Sequence, residues 1–235
     1  MNLQEIFLGD QRYLYLWHGL EVTLLLTIFA AAIGLILGLI IALFRESSWQ
    51  PFSWLKSGRL KRWKPLSSFA RIYVTVIRGT PALVQLLIMY YVVFGTYRDV
   101  PKLWVASIAF GINSAAYVAE IFRGGIGSID RGQSEAARSL GLSKWQTMRY
   151  VVLPQALRNS LPALINEFIS LLKETAIVGW IGMNDLMRGA DNIRFQTATA
   201  FESLFVVALI YLALTTIFTS IMNRVERNLR ASDKD

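Results

Sequence analysis

Five stretches of this 235-residue chain, residues 20–44, 80–94, 103–122, 161–181 and 201–221, are dominated by apolar side chains and bounded by charged or Gly/Pro-rich sequence. Apolar runs of about 20 residues are long enough to cross a bilayer as helix. Lipid offers no partner to exposed backbone groups, so helices rather than open strands are expected. Composition agrees, with 54% hydrophobic and 17% charged residues. Cysteine is absent and His18 is the single histidine, which argues against a disulfide framework, a metal site or a histidine-based triad. The net charge of +8 has no basic patch interleaved with aromatics outside the membrane-flanking segments, so nucleic acid is not an expected partner. No cleavable leader is read at the N-terminus, and the first span itself is expected to drive insertion.

The cations give an orientation. They cluster at Arg45, Lys56, Arg59, Lys61, Arg62, Lys64 and Arg71, again over residues 123–158, and again over 224–234. With five spans these segments share one side, while the other carries Arg12, Arg98, Lys102, Arg188 and Arg194. The positive-inside rule then places the N-terminus outside and the C-terminus in the cytoplasm. The expectation is an all-α membrane protein with one transmembrane domain over 1–235, a cytoplasmic loop at 45–68 and a cytoplasmic segment at 123–158. The basic loop has the composition for contact with anionic membrane lipid. Ala30, Gly34, Gly38 and Ala42 recur every four residues in the first span and predict a close helix–helix approach. Tyr13, Tyr15, Trp17, Tyr90, Tyr91 and Trp104 fall near span ends, where amphipathic rings prefer the headgroup layer.

Between the third and fourth spans, local rules predict two short helices meeting at a corner. Asp130 can cap the first with Gln133 in the reciprocal position, Gly141 suits a left-handed stop, and Ser143 with Gln146 forms a second capping box. Leu140, Leu142 and Trp145 need a surface to bury against, either another protein or the chain itself. Ala136 and Ala137 leave room for close approach, and Glu135 is favoured near a helix start.

Glu135-Ala136-Ala137, three residues, Gly141, then nine residues and Val151-Val-Leu153-Pro154 resembles the EAA loop of ABC-importer permeases. Arg78-Gly79-Thr80-Pro81-Ala-Leu-Val-Gln85, the stretch from Gly111 through Asn113, Tyr117 and Glu120 to Arg123, Asn166-Glu167-Phe and Lys173-Glu174-Thr175-Ala are similar to the polar amino acid branch of that family. The resemblance covers residues 71–230; the connector between the first two spans is longer than in compact members. It implies a type I importer permease subunit in a bacterial plasma membrane. A cytoplasmic ATPase dimer binding ATP and Mg, a second permease subunit (a copy or a paralogue) and an extracytoplasmic binding protein would be its partners. It assigns docking on the ATPase to Glu135, Ala136, Ala137, Gly141, Leu153 and Pro154. Residues 183–200 and 3–16 are then the outer segments that would meet the binding protein.

The fourth span holds Asn166, Glu167, Ser170, Lys173, Glu174 and Thr175 among Leu, Ile, Phe and Ala. A charge at a helix centre costs roughly 2.5–3.5 kcal/mol on insertion scales, so these residues should avoid lipid. At about 100° per residue, Asn166, Ser170, Lys173 and Ile177 form one stripe and Glu167, Leu171, Glu174 and Val178 the next, merging into one polar edge. Both signs of charge suit a zwitterionic solute; alternatively Lys173 pairs with Glu120 or Glu174 and joins helices. Asn113, Tyr117, Glu120 and Gly124 share a face of the third span in the same way. Arg78, Gly79, Thr80 and Pro81 break the second run, either shaping a path or joining an interfacial helix at 68–78 to a short span. Pro162 reads as the entry of the fourth helix.

The chain lacks a Gly-x-x-x-x-Gly-Lys-Ser/Thr loop, so it should hold no cofactor and catalyse nothing, with ATP hydrolysed by a partner. Another small solute is the alternative cargo. A gradient-driven transporter or channel would not need the EAA pattern. An intramembrane enzyme using Glu167 and Glu174 would have its carboxylates about 10 Å apart along one helix.

Overall fold

The structure, a computed structural model, describes residues 2–47, 49–51, 62–97 and 99–231. Lys56, Arg59, Lys61, Arg98 and Lys234 lie outside the described residues, as does the middle of the basic loop. In chain order the helices are α1 (Leu3–Leu8), α2 (Tyr13–Glu46), α3 (Pro65–Arg78), α4 (Ala82–Leu87), α5 (Lys102–Gly127), α6 (Arg131–Ser139), α7 (Lys144–Thr147), α8 (Leu153–Glu174), α9 (Leu186–Thr197) and α10 (Ala200–Ala231). π-Helical turns at Ile88–Val93 and Met148–Val152 extend α4 and precede α8, and a 3-10 stretch at Thr175–Ile181 follows α8.

Among the described residues, three helices are long and apolar enough to cross a membrane: Tyr13–Glu46, Lys102–Gly127 and Ala200–Arg224. A fourth candidate is the pair Pro65–Arg78 and Ala82–Val93, bent by 105° at its break. With α8, whose 22 residues include Arg158, Glu167, Lys173 and Glu174, these elements form the bundle.

The bundle is built on the small-residue stripe of α2. Ala30, Gly34, Gly38 and Ala42 are all buried. A Cβ on Gly34 would sit 3.0 Å from the Ser114 side chain, and one on Gly38 would sit 2.5 Å from Val118 Cγ1. In a membrane, association rests on such packing and on interhelical hydrogen bonds, not on expulsion of water. Leu26, Leu86, Phe110, Leu171 and Val178 form one buried cluster along this contact. Ile41, Ala42, Ala70, Val74, Ala119 and Phe122 form a second, further along α2 and α5. On the far side α9 packs its Leu186 and Ala190 against Val207 of α10.

Two expectations about the fourth run change. Helix α8 begins at Leu153 with Pro154 in its first turn, so Pro154 marks helix entry and Pro162 lies inside the helix. Its first two turns are polar, and their side chains bond to α5 and to Ser128 just past its end: Asn159 Nδ2 donates to Ser128 Oγ at 2.8 Å, and Ser160 Oγ donates to the Ile121 carbonyl at 3.4 Å. At the other end the α-helix stops at Glu174, and the tighter 3-10 turn takes Ile177 and Val178 out of the stripes drawn at 100° per residue.

Candidate functional site: a capped corner and a charged break

The corner between α6 and α7 is specified by its own backbone bonds. Asp130 caps α6 by accepting the Gly132 N–H at 2.6 Å. Gly141 turns left-handed at φ +90, and its N–H bonds to the Arg138 carbonyl at 3.1 Å while the Leu142 N–H reaches the Ala137 carbonyl at 3.2 Å. This pair of bonds is the Schellman closure of a helix end. Helix α7 restarts at once with its capping box: Gln146 N–H donates to Ser143 Oγ at 3.2 Å, and Ser143 N–H donates to Gln146 Oε1 at 2.8 Å. Ala137 faces inward, whereas Glu135 and Ala136 are exposed, and the corner presents Leu140 at 86% exposure and Trp145 at 68%. Leu153 and the exposed Pro154 open α8 after the π turn.

The break at Arg78–Pro81 and the polar face of α5 meet. Gln85 Nε2 donates to the Ile77 carbonyl at 2.8 Å, the Thr80 carbonyl at 3.1 Å and Thr80 Oγ1 at 2.8 Å, replacing bonds that the interrupted helix cannot make. Asn113 Nδ2 in turn donates to Gln85 Oε1 at 3.0 Å. The Arg78 guanidinium lies over the Tyr117 ring, 5.1 Å from its centroid, and 4.0 Å from Glu120. Glu120 also accepts from Arg123 at 2.9 Å and from Arg45 at the end of α2. Three arginines on three helices thus share one carboxylate. Gln85 and Arg45 contact Asn113 and Glu120, and sequence reasoning assigned neither to the site. The signal for Gln85 was a lone glutamine inside the second apolar run.

On α8 the polar residues divide. Glu167 turns toward α5 and accepts from Ser114 Oγ at 2.7 Å. Thr175 is buried, and its hydroxyl donates to the Leu172 carbonyl at 2.8 Å. Asn166 and Lys173 are exposed on the outside of the chain, with Ser170 and Glu174 half-buried beside them.

Beyond α8, the buried Asp185 caps α9 through the Met187 and Arg188 N–H groups, both at 3.1 Å, and Thr23 of α2 accepts the Leu186 N–H at 3.1 Å. Burial pushes the Asp185 carboxyl up to about 6, against the opposing pull of these backbone donors. The outer segments also pack together: Gln196 Nε2 donates to Tyr15 Oη at 3.2 Å.

A helical membrane bundle with a bent, polar-lined helix pair and an exposed, capped helical corner has the architecture of a transport permease. Residues 34–231 match the family described as "Binding-protein-dependent transport system inner membrane component", and the chain belongs to it. It is similar to the arginine transport system permease protein ArtQ of Bacillus subtilis, 40% identical over 93% of this chain and 94% of that protein. It is also similar to the glutamate/aspartate import permease protein GltK of Escherichia coli, 36% identical over 86% of this chain and 87% of that one. A crystal structure of an amino acid ABC transporter with histidines superposes with a TM-score of 0.83 at 44% identity, covering 97% of this chain and all of that one. The MetNI methionine ABC transporter, at 20% identity and a TM-score of 0.75 over 97% of this chain and 99% of that one, shares the fold. The chain is therefore a multi-pass bacterial inner-membrane permease subunit of the ABC importer kind, in its polar amino acid branch, and not an enzyme. Permeases of this family work with an ATPase and a binding protein.

Proposed function

We propose that this permease carries polar amino acids along a path that it completes with a second permease subunit, a copy or a paralogue. The single observation that carries the path is the exposure of Asn166 and Lys173 on α8, among the apolar residues Ile165, Phe168, Leu171 and Leu172 of the same helix. An ammonium group at membrane depth requires a protein wall or a wet cavity opposite it. Ser170, Glu174 and Thr175 extend this face toward the 3-10 turn, so both signs of charge are at hand for a carboxylate and an ammonium. Asn113, Glu120 and Glu167 act from behind it, holding Gln85, Arg78 and Ser114 in place. The break at Arg78–Pro81 borders the same region. The relatives named for arginine and for glutamate/aspartate support a polar amino acid as cargo.

In this reading α8 with Thr175–Ile181 is the fifth span of one domain over 1–235, the N-terminus is outside, and the C-terminus, the loop 45–68 and the segment 123–158 are cytoplasmic. A partner ATPase dimer, binding ATP and Mg, docks on Glu135, Ala136 and the exposed Leu140, on a corner fixed by Ala137 and Gly141 and joined to α8 at Leu153 and Pro154. The outer segments around α1 and α9 receive the loaded binding protein.

The test is reconstitution with the ATPase and binding protein, comparing uptake across amino acids. Lys173→Met and Asn166→Leu should lower uptake about 10- to 100-fold, as loss of charge-assisted hydrogen bonds implies, with ATPase binding retained. Glu135→Lys should do the reverse, releasing the ATPase from a permease that still inserts. Unchanged uptake and substrate preference in both α8 variants would defeat the path assignment, and stimulation by no amino acid would defeat the cargo.

A further inference from the structure

Helix α3 has two apolar faces, and the transport reading uses only one. Ser67, Ala70 and Val74 are buried against α2 and α5. Phe69, Ile72 and Val76, on the opposite side of the helix, are 55%, 64% and 53% exposed. Ser68, Arg71 and Thr75 occupy a polar strip between the two faces. Such a helix would aggregate in water unless its outer face were covered.

Length and charge say what covers it. The 14 residues of α3 reach about 21 Å, short of the roughly 30 Å hydrocarbon layer. The half beyond the break follows the outer part of α5, through Gln85 to Asn113 and Leu86 to Phe110. After a bend of 105°, α3 crosses the other end of α5, near Ala116, Ala119 and Phe122. That geometry suits a helix lying near the membrane surface, not one crossing it. Residues 47–98 contain eight cations (Lys56, Arg59, Lys61, Arg62, Lys64, Arg71, Arg78 and Arg98) and no Asp or Glu. Arg62, Lys64 and Arg71 make no ion pair among the described residues. At the far end of α3, Arg45, Arg78 and Arg123 share Glu120, with Glu46 as a second anion near Arg123.

We propose that α3 is an in-plane membrane helix: Phe69, Ile72 and Val76 enter the acyl layer, and Arg62, Lys64 and Arg71 hold the phosphate headgroups of anionic lipid. Apolar burial sets its depth, and the surplus positive charge selects the headgroup. This surface lies outside the transport path, and it rests on the orientation proposed above only for which leaflet is meant.

Because the chain has no cysteine, Ile72→Cys offers a unique position for a nitroxide on the full-length protein in phosphatidylcholine vesicles with and without phosphatidylglycerol. Relaxation by oxygen should exceed relaxation by an aqueous nickel chelate. Spin-labelled phosphatidylglycerol should be immobilised by the unlabelled protein in preference to spin-labelled phosphatidylcholine. The combined change Arg62→Gln, Lys64→Gln and Arg71→Gln should cut that preference about fivefold while leaving oxygen access at position 72 unchanged. Dominant nickel access would overturn the proposal. So would dipolar broadening between labels, or a disulfide joining two copies of the Ile72→Cys variant, either of which would make this face a contact between permeases. An equal lipid preference in the triple variant would overturn the headgroup assignment.

Discussion

Replacing Gly141 should weaken coupling in an order set by backbone conformation and not by side-chain size. Gly141 sits at φ +90, and beyond its own chain neighbours no atom lies within 4 Å of where its Cβ would be. A substituent there meets no neighbour, so its cost is the left-handed backbone alone, about 1–2 kcal/mol for an ordinary L-residue. That corresponds to a roughly 5- to 30-fold loss in the population of the formed corner. Asn tolerates this region better than Ala, and a β-branched residue tolerates it worst. The expected order of ATPase affinity is therefore Gly, then Gly141→Asn, Gly141→Ala and Gly141→Val. The assay is titration of the ATPase onto the permease in nanodiscs, together with ATP hydrolysis stimulated by the loaded binding protein. Insertion and thermal stability should change little, because the corner buries few side chains. If Gly141→Asn binds worse than Gly141→Ala, bulk at the docking surface decides and backbone conformation does not; wild-type affinity in Gly141→Val would refute the backbone explanation outright.

Gln85→Ala should leave the part-buried Ile77 carbonyl and the buried Asn113 amide without their partner, at about 1–3 kcal/mol per group, and appear as lower thermal stability and slower uptake with ATPase affinity intact. Gly38→Ala would place a Cβ 2.5 Å from Val118 Cγ1, 2.6 Å from Val118 Cβ and 3.0 Å from the Ala115 carbonyl, and should cost about 1–3 kcal/mol; adding Val118→Ala leaves the last two contacts and should recover little of it, whereas Val118→Gly should recover more, in double-mutant cycles of unfolding midpoints. Asp185, whose carboxyl rises from 3.8 to about 6 in the folded protein, binds its proton more tightly folded than unfolded. Its contribution to stability is therefore greatest at low pH and declines by about 3 kcal/mol as pH rises from about 4 to about 6, then stays flat. Thermal melts of the wild type across that window should show the decline, and Asp185→Asn should flatten it.

The parts of the fold that the sequence made legible are those governed by length or by neighbours a few residues away. The corner is the clearest case: its caps join residues three to five positions apart, so Gly141, Ser143 and Gln146 could be placed before any tertiary contact was known. Gln133 shows the limit of even that reasoning, since Asp130 caps α6 through Gly132 and the reciprocal side-chain bond is not among those made by the described residues. The start of α8 was illegible for the opposite reason. Hydropathy sees Gln155, Arg158, Asn159 and Ser160 as a polar connector, whereas Ile121 on α5 and Ser128 just past its end accept the side-chain hydrogen bonds of Ser160 and Asn159.

The charged residues follow the same division, and it bears on how many chains the path needs. Periodicity put Asn113, Tyr117 and Glu120 on one face of α5, but a period names a face and not what stands opposite it. Glu120 is 75 residues from Arg45, and only the crossing of α2 over α5 brings them together. Once these pairings are drawn, Gln85, Asn113, Ser114, Glu120 and Glu167 each have a partner inside the chain. Asn166 and Lys173 instead face outward. Leaving an ammonium against lipid would cost roughly 2.5–3.5 kcal/mol, a large share of the few kcal/mol that separate folded from unfolded protein. A chain that satisfies the buried Asn113 and Ser114 and the half-buried Gln85, Glu120 and Glu167 internally and leaves this pair facing outward is, in the proposed reading, complete as a fold and incomplete as a channel wall. The missing wall is what a second permease subunit would supply.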